Sequence, residues 1–412
     1  MNISICIFYI NPNNRVIYKK IKRLISLMIK NIIGFIVLFI IISYIYYKIK
    51  YPFWSIQPVF HFHNLRYWLF PPGIIQHNNP KINKFFDSAV EFNDFSALET
   101  EKKALFASLI KAHFMPNKYE NYKPTTENIT DYFKSHNKPC FISLYYKPSL
   151  SDGKMTNTLV SSMTTRPLKC VVDDHNLNLY YVDFLCVHKR YRKKGVAPKT
   201  IYSHYYNHRH KYDNTVFLFK REGETTAIVP LCAYKNYGFD LQYLSKEINL
   251  KGPILKSVLL SDTSMRHYYE LDKIIQKNVD CYISPNYSHL KHLVDKNLLH
   301  IGLVIEDRDA KAVYVFRNSH TYYDSKPAIE CIASFNNGLS EGKFIDGFLD
   351  CLVKCIERFK YQILFVENIS HNNSIAKYMI KNHKLLFECS ASYYFYNFAH
   401  RPIPSENVFL LN

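Results

Sequence analysis

Glycine is scarce in this chain, with 11 residues among 412. That excludes collagen-like and glycine-rich low-complexity classes. No two of the 10 cysteines stand at CxxC spacing; Cys351 and Cys355 come nearest, in a helical stretch that suits core packing. A disulfide framework is not expected of a chain this long, and no metal site is expected. Neither a stacking-sheet signature nor a basic helix interleaved with aromatics is found, so nucleic acid is not the expected partner. No short internal repeat is visible. Acidic residues are the minority, 34 Asp and Glu against 53 Lys and Arg, for a net charge of +19. Part of that excess accompanies an abundance of Tyr, Ile, Asn and Lys of the kind an AT-rich genome produces. The rest suits an anionic partner: nucleic acid, a membrane surface or a phosphorylated cofactor. With 48% hydrophobic and 21% charged residues, wholesale disorder is excluded.

The longest apolar run is Ile32–Tyr47, uncharged throughout. With Lys30 snorkelling, residues 25–47 suffice for a single membrane span. A cleaved signal peptide is the rival, but the run starts late and no small-residue cleavage site follows. Arg15, Lys19, Lys20, Lys22, Arg23 and Lys30 precede the span, against Lys48 and Lys50 just after it. The positive-inside rule then places the N-terminus in the cytosol and the bulk of the chain outside it.

Beyond Tyr51, strand-like and helix-like segments alternate without a long linker. Residues 53–68 read as an ordered, extended aromatic arm. Helices are expected over 100–114, 197–208, 344–359 and 370–381. Strands are expected over 180–187, 215–219, 303–305, 312–316, 329–335, 362–366 and, last, 392–398. Two successive mixed α+β units suggest a duplicated architecture.

The most informative stretch runs from Asp183 to Pro198: D-F-L-C-V-H-K-R-Y-R-K-K-G-V-A-P. A strand ends near His188, a basic turn follows, and a helix opens at Val196 or Ala197. Backbone N–H groups at such a turn form an anion site. Arg190, Arg192, Lys193 and Lys194 add charge-assisted contacts to phosphate. Pro198 is tolerated in the first helical turn.

Arg192-Lys-Lys-Gly-Val-Ala197 resembles the R-x-x-G-x-A acyl-CoA loop of the GNAT acetyltransferases. The longer F-L-C-V-H-K at 184–189, with Val196-Ala-Pro198, resembles the hallmark of the N-myristoyltransferases. Tyr51-Pro-Phe-Trp-Ser-Ile-Gln-Pro-Val59 resembles that family's Y-x-F-W-x-T-Q-P-V. The close, from Tyr393-Tyr-Phe-Tyr-Asn-Phe398 through Ser405-Glu-Asn-Val408 to the chain end, resembles its Y-Y-L-Y-N-W…S-E-K-V-G-L-V-L. The three matches come in the family's order and span 51–412.

The resemblance implies an α+β fold of two tandem acetyltransferase-like lobes, 51–232 for acyl-CoA and 233–412 for peptide. These follow a basic tail (1–24) and the anchor (25–47). It implies transfer of a myristoyl group from myristoyl-CoA to the N-terminal glycine amine of a peptide or protein, by a monomer. The backbone amides of Phe184 and Leu185 would form the oxyanion hole. The carboxylate of the chain end, Asn412, would take the proton, because a free α-amino group has a pKa of about 7.7–8.0. Apolar Val408-Phe-Leu-Leu411 can thread that end inward. Acyl-CoA would meet Tyr51, Phe53, Trp54, Cys186, Val187, Lys189, Arg190, Arg192, Lys193, Lys194, Gly195, Val196, Ala197 and Pro198. The peptide would meet Tyr234, Tyr237, Tyr394 and Tyr396. Myristoyl-CoA is cytosolic, so this chemistry places the catalytic part in the cytosol, against the charge rule.

Three departures from the pattern stand out. Asp183 replaces the Asn that usually precedes F-L-C-V-H. The R-Y-x-H stretch appears as Ala233-Tyr-Lys-Asn236, without its His. The K-F-G-x-G-D-G loop is replaced by Lys384-Leu-Leu-Phe-Glu-Cys-Ser-Ala391, so close backbone approach by glycine is lost. Two other readings therefore stay open: an acyl-CoA-dependent N-acyltransferase with a different amine acceptor, and a non-catalytic acyl-CoA-binding descendant.

Overall fold

The computed structural model describes the chain except residues 1–11, 115–119, 152–153, 174, 214, 224–226, 243, 245–256 and 263–264. By its contacts the chain falls into two units, Met1–Gln57 and Pro58–Asn412.

In the first unit one helix runs from Pro12 to Lys50. The expected boundary between a basic tail and an anchor at residue 24 is thus not a structural one; the start of that tail, residues 1–11, lies outside the described residues. Pro12 sits where a helix tolerates proline, and no later proline interrupts the run. Lys20–Lys50 is long and apolar enough to cross a membrane. Its large apolar side chains face solvent, Ile49, Phe35 and Phe39 most of all, with Tyr47 as a buried exception. A 3-10 turn follows at Trp54–Ile56, and a short helix at Leu65–Leu69 opens the second unit's chain path, where a uniformly extended arm was expected.

The second unit is built on one twisted, mixed sheet that carries both lobes. Each lobe repeats the same device. In the first, strand His175–Val187 leads through helix Val196–Lys211 to the parallel strand Val216–Glu222. In the second, strand Lys326–Asn336 leads through helix Glu341–Phe359 to the parallel strand Ile363–Glu367. The strand that follows each of these parallel pairs then joins the other pair. Cys232–Asp240 pairs with Ile363–Glu367, and Leu385–Tyr396 pairs with Val216–Glu222. The two exchanged strands also pair with each other, which welds the lobes together.

The two crossover helices are made differently. Glu341–Phe359 starts at Ser340, whose hydroxyl accepts the Lys343 N–H, and it buries Phe344, Phe348 and Leu352 along one stripe. Burial of each such side chain is worth about 1.5–3 kcal/mol. Val196–Lys211 instead turns Thr200, Ser203, His204, His208 and Arg209 inward. His204 meets Ser143 at 2.9 Å and Thr165 at 3.0 Å, so its buried ring is bonded on both nitrogens.

The chain does not close on the strand near residue 398. It continues to a final strand, Val408–Leu410, laid parallel to Cys281–Ser284. Val408, Phe409, Leu410, Leu411 and Asn412 are all buried. Phe409 and Leu411 share one hydrophobic core with Phe184 and Cys186.

Candidate active site

Phe184 and Leu185 break the regularity of their sheet. Ser162 faces Cys186 and Thr164 faces Asp183, so two residues on one strand oppose Met163 alone on the other. This is a β-bulge, a feature that bends a strand and re-aims its groups next to sites of chemistry. Phe184 takes the left-handed φ of +44° to make it. The strand is pinned on either side. The Ser161 hydroxyl donates to the Cys186 carbonyl at 2.9 Å, and the Thr164 hydroxyl to the Asp183 carbonyl at 2.8 Å. Burial pushes the Cys186 thiol up to about 12, so it is no nucleophile at neutral pH.

Asp183 acts directly on the bulge. Its Oδ1 accepts the Phe184 N–H at 2.9 Å. Its Oδ2 accepts from Nε of Arg166, a buried guanidinium, at 3.3 Å. One of the two amides expected to receive an oxyanion is thus engaged by a carboxylate.

The basic turn follows at once. His188 Nδ1 accepts the Arg190 N–H, and Lys189–Tyr191 forms a 3-10 turn. Lys193 and Gly195 have φ of +61° and +74°. Two left-handed residues so close together curl backbone N–H groups toward one side, the form of an anion nest. Gly195 caps the helix that carries Val196, Ala197 and Pro198 in its first turn. Lys189, Arg190, Lys193 and Lys194 are exposed around it. Arg192 does something else: its Nε donates to the Val187 carbonyl at 3.1 Å, and its Nη2 to the His113 carbonyl. It ties the turn to helix Thr100–His113 instead of presenting its fork to a phosphate. Tyr51, Phe53 and Trp54 belong to the first unit, where Phe53 and Trp54 meet edge to face at 5.0 Å.

At the chain end, the Asn412 side chain is held from two sides. Its carbonyl accepts from Arg317 Nη1 at 2.9 Å, and its amide donates to the Tyr393 hydroxyl at 3.2 Å. Arg317 also binds Glu330 and, at 3.5 Å, Glu367. Glu367 in turn accepts from Lys220 at 3.0 Å and from the Tyr234 hydroxyl at 2.8 Å. Tyr234 stacks on Tyr393 at 5.7 Å. Two cations and two anions balance in this network, with Glu367 buried and Lys220, Arg317 and Glu330 partly so. Burial works against the Glu367 carboxylate, yet Lys220 and Arg317 outweigh it and hold its pKa down. Burial also opposes the Lys220 ammonium, and Glu367 and Glu330 outweigh that too.

A layer of phenols joins the two places. Burial raises Tyr132 and Tyr181 to about 12, and each feels both Asp183 at the bulge and Arg317 at the chain end.

Of the four tyrosines expected to meet a peptide, Tyr234 reaches the chain-end network. Tyr394 stacks on Phe219 and Tyr396 meets Tyr205, both on the opposite face of their strand from Tyr393. Alternation along a strand makes a one-residue difference a change of face. Tyr237 lies beside Glu388 in the register of the exchanged strands. Lys220, Arg317, Glu330, Glu367 and Tyr393 were not anticipated. Each of the four charged ones interrupts or ends an apolar strand run, which is the signal that could have found them.

The segment 384–391 forms no loop. From Leu385 on it is the start of strand Leu385–Tyr396, whose pairing shifts register between Leu385 and Phe387. The Phe387 ring lies so close on Gly238 that any added Cβ there would clash with it.

Comparison with known proteins matches this arrangement. Residues 82–204 match the family model described as "Myristoyl-CoA:protein N-myristoyltransferase, N-terminal domain". Residues 82–204 thus resemble the N-terminal domain of the N-myristoyltransferases. Two structures of Saccharomyces cerevisiae N-myristoyltransferase with bound myristoyl-CoA share the chain's fold. One has a TM-score of 0.65 at 14% identity, covering 88% of this chain and 99% of the yeast one. The other has a TM-score of 0.66 at 13% identity, covering 88% and 94%. No curated protein sequence matches the chain. Family and fold together make it an acyl-CoA-dependent N-acyltransferase by lineage.

Proposed function

We propose that this N-myristoyltransferase relative transfers a myristoyl or similar long acyl group from acyl-CoA to the N-terminal glycine amine of a protein. The observation that carries the reading is the buried chain end. Arg317 and Tyr393 fix the Asn412 side chain, and the preceding Phe409 and Leu411 share a core with Phe184 of the bulge. A frayed terminus would not be built this way.

In this reading the CoA phosphates lie on the nest at Lys193–Gly195, with Lys189, Arg190, Lys193 and Lys194 around it. No metal takes part. The thioester carbonyl faces the bulge, whose amides receive the negative charge that develops on its oxygen. For that, the Phe184 N–H must exchange its bond to Asp183 for one to the substrate. The glycine ammonium approaches the terminal carboxylate of Asn412 and gives up a proton to it. The neutral amine attacks the thioester carbon and forms the N–C bond, the C–S bond breaks, and the second proton lost by that nitrogen passes to the departing sulfur, so that CoA leaves as the thiol. Lys220, Arg317, Glu330 and Glu367 cancel one another, so the terminal carboxylate is the unbalanced anion that a substrate ammonium can match. The chemistry places this unit in the cytosol, with Lys20–Lys50 as the anchor; protease protection of the unit in sealed vesicles would contradict that.

One observation favours a second reading, a different amine acceptor. Strand Leu385–Tyr396, with Phe387 on Gly238, fills the place of the expected glycine-rich loop. The test is acylation by the purified full chain in detergent with myristoyl-CoA, read by mass spectrometry. Acceptors are a library of N-terminal-Gly peptides and the same library starting with Ala. Transfer to the glycine amine alone supports the first reading. Transfer to lysine side chains or small amines, with Gly peptides untouched, supports the second.

A further inference from the structure

Phe62, Leu65, Leu69 and Phe70 are exposed at 68, 70, 78 and 59%. They sit on one short stretch of the folded unit, in and around helix Leu65–Leu69. Leu65 and Leu69 are one turn apart and share a face. The stretch is firmly fastened from its inner side. The Phe62 N–H donates to the Ala227 carbonyl at 2.9 Å, and the Val229 N–H to the Phe60 carbonyl at 2.8 Å. Tyr67 and Trp68 pack on buried Phe60 at 5.6 and 5.0 Å, and Trp68 Nε1 donates to the Phe62 carbonyl at 3.0 Å. The fold therefore holds four large apolar side chains outward on a rigid aromatic base. Soluble surfaces avoid such a cluster unless something covers it.

The charge around the cluster has one sign. Asp87 is the first acidic residue of the whole chain, and all eleven charged residues before it are Lys or Arg. Arg66 lies within the cluster, and exposed Lys81 and Lys84 follow it. The candidate span ends at Lys50, and Phe62 comes twelve residues later. Even fully extended, that length reaches only about 40 Å. Whatever bilayer receives the helix is always within reach.

We propose that Phe62–Phe70 is a second membrane contact, which lays the folded unit on an anionic bilayer. Phe62, Leu65, Leu69 and Phe70 enter the boundary between headgroups and acyl chains, and Arg66 stays at the level of the phosphates. The proposal rests on the reading that Lys20–Lys50 enters a bilayer. Its consequence is a catalytic unit held at the surface into which a newly lipidated protein must insert.

The chain has two tryptophans, Trp54 and Trp68. The full chain carrying Trp54→Phe therefore reports on Trp68 alone. It is reconstituted in vesicles of phosphatidylcholine and phosphatidylserine, with lipids brominated at defined depths. The proposal predicts strong quenching of Trp68, about twofold or more, with bromine near the headgroup end and less with bromine near the chain end. Adding Leu65→Ser and Leu69→Ser should remove the quenching while the helix still floats with the vesicles. Circular dichroism of that variant in detergent checks its fold. If the chain floats but Trp68 of the unaltered patch is not quenched, the proposal is overturned while the anchor stands, and the patch belongs to a second copy or a protein partner. A chain that does not float overturns both.

Discussion

The two regions proposed to receive acyl-CoA and the amine acceptor are assembled by opposite means. The first is contiguous: bulge, basic turn and helix start all lie between Asp183 and Pro198, and backbone groups do most of the work. The second is scattered: Lys220, Arg317, Glu330, Glu367, Tyr393 and Asn412 come from five strands and the chain end, and side chains do the work. A contiguous backbone site tolerates changes of charge around it. A closed network of buried charges fails when one member goes, because its partners are left unpaired.

The sharpest break of that contrast is Arg317→Met. It strips Asn412, Glu330 and Glu367 of one shared partner. We expect a loss of stability of about 3 kcal/mol or more and a fall in turnover of at least about a hundredfold, checked by urea denaturation and single-turnover kinetics. Equal activity would mean that the chain end needs no clamp.

Asp183→Asn probes the other side and should move activity and stability in opposite directions. An amide competes less well than a carboxylate for the Phe184 N–H, so turnover should rise about tenfold. Arg166 loses its counter-ion, so stability should fall by about 2 kcal/mol. A fall in turnover would assign Asp183 a helping role at the bulge.

Acid sensitivity should come from histidines away from both. His289 stacks on His136 at 3.7 Å and bonds the Lys134 carbonyl at 2.7 Å. Burial depresses His289 to about 2 and His136 to about 4. Both folded values lie below the ordinary value of about 6.5, so the stability they contribute is intact above that pH and lost as pH falls below it. From pH 7 to 5 each should cost about 2 kcal/mol, and His289→Phe should flatten the urea-midpoint profile over that range.

The smallest effect should be that of Lys193→Ala with Lys194→Ala. Exposed charges on a backbone nest should raise KM for acyl-CoA severalfold, about 1 kcal/mol in all, with kcat kept and the difference fading in high salt. A large loss of kcat would show that the turn shapes the bulge as well.

The same contrast explains what the sequence disclosed. The F-L-C-V-H-K motif, the turn and the helix after it are local, and local pattern is what a sequence displays. The crossover helix at Glu341–Phe359 was equally plain, because its apolar stripe repeats with the helical period. The long pair Phe141–Ser151 and Lys154–Val172 was not anticipated. Its Ser, Thr and Lys residues hide the alternation, and buried hydroxyls such as Ser161 and Thr164 find carbonyl partners on the neighbouring strand. The chain-end network depends on the exchange of strands between lobes, which no local pattern encodes. The aromatic run at 393–396 is legible in the sequence, but the strand face that sets Tyr393, rather than Tyr394 or Tyr396, against the terminus is not.

The central claim is that the free chain end, fixed through Asn412, serves the reaction. One glycine added after Asn412 moves the carboxylate one residue past Asn412, whose side chain Arg317 and Tyr393 hold, and leaves every side chain unchanged. We predict that the extended full chain still binds myristoyl-CoA with unchanged affinity but transfers no acyl group to any amine acceptor that the native chain modifies. Transfer at the native rate by the extended chain would contradict the account.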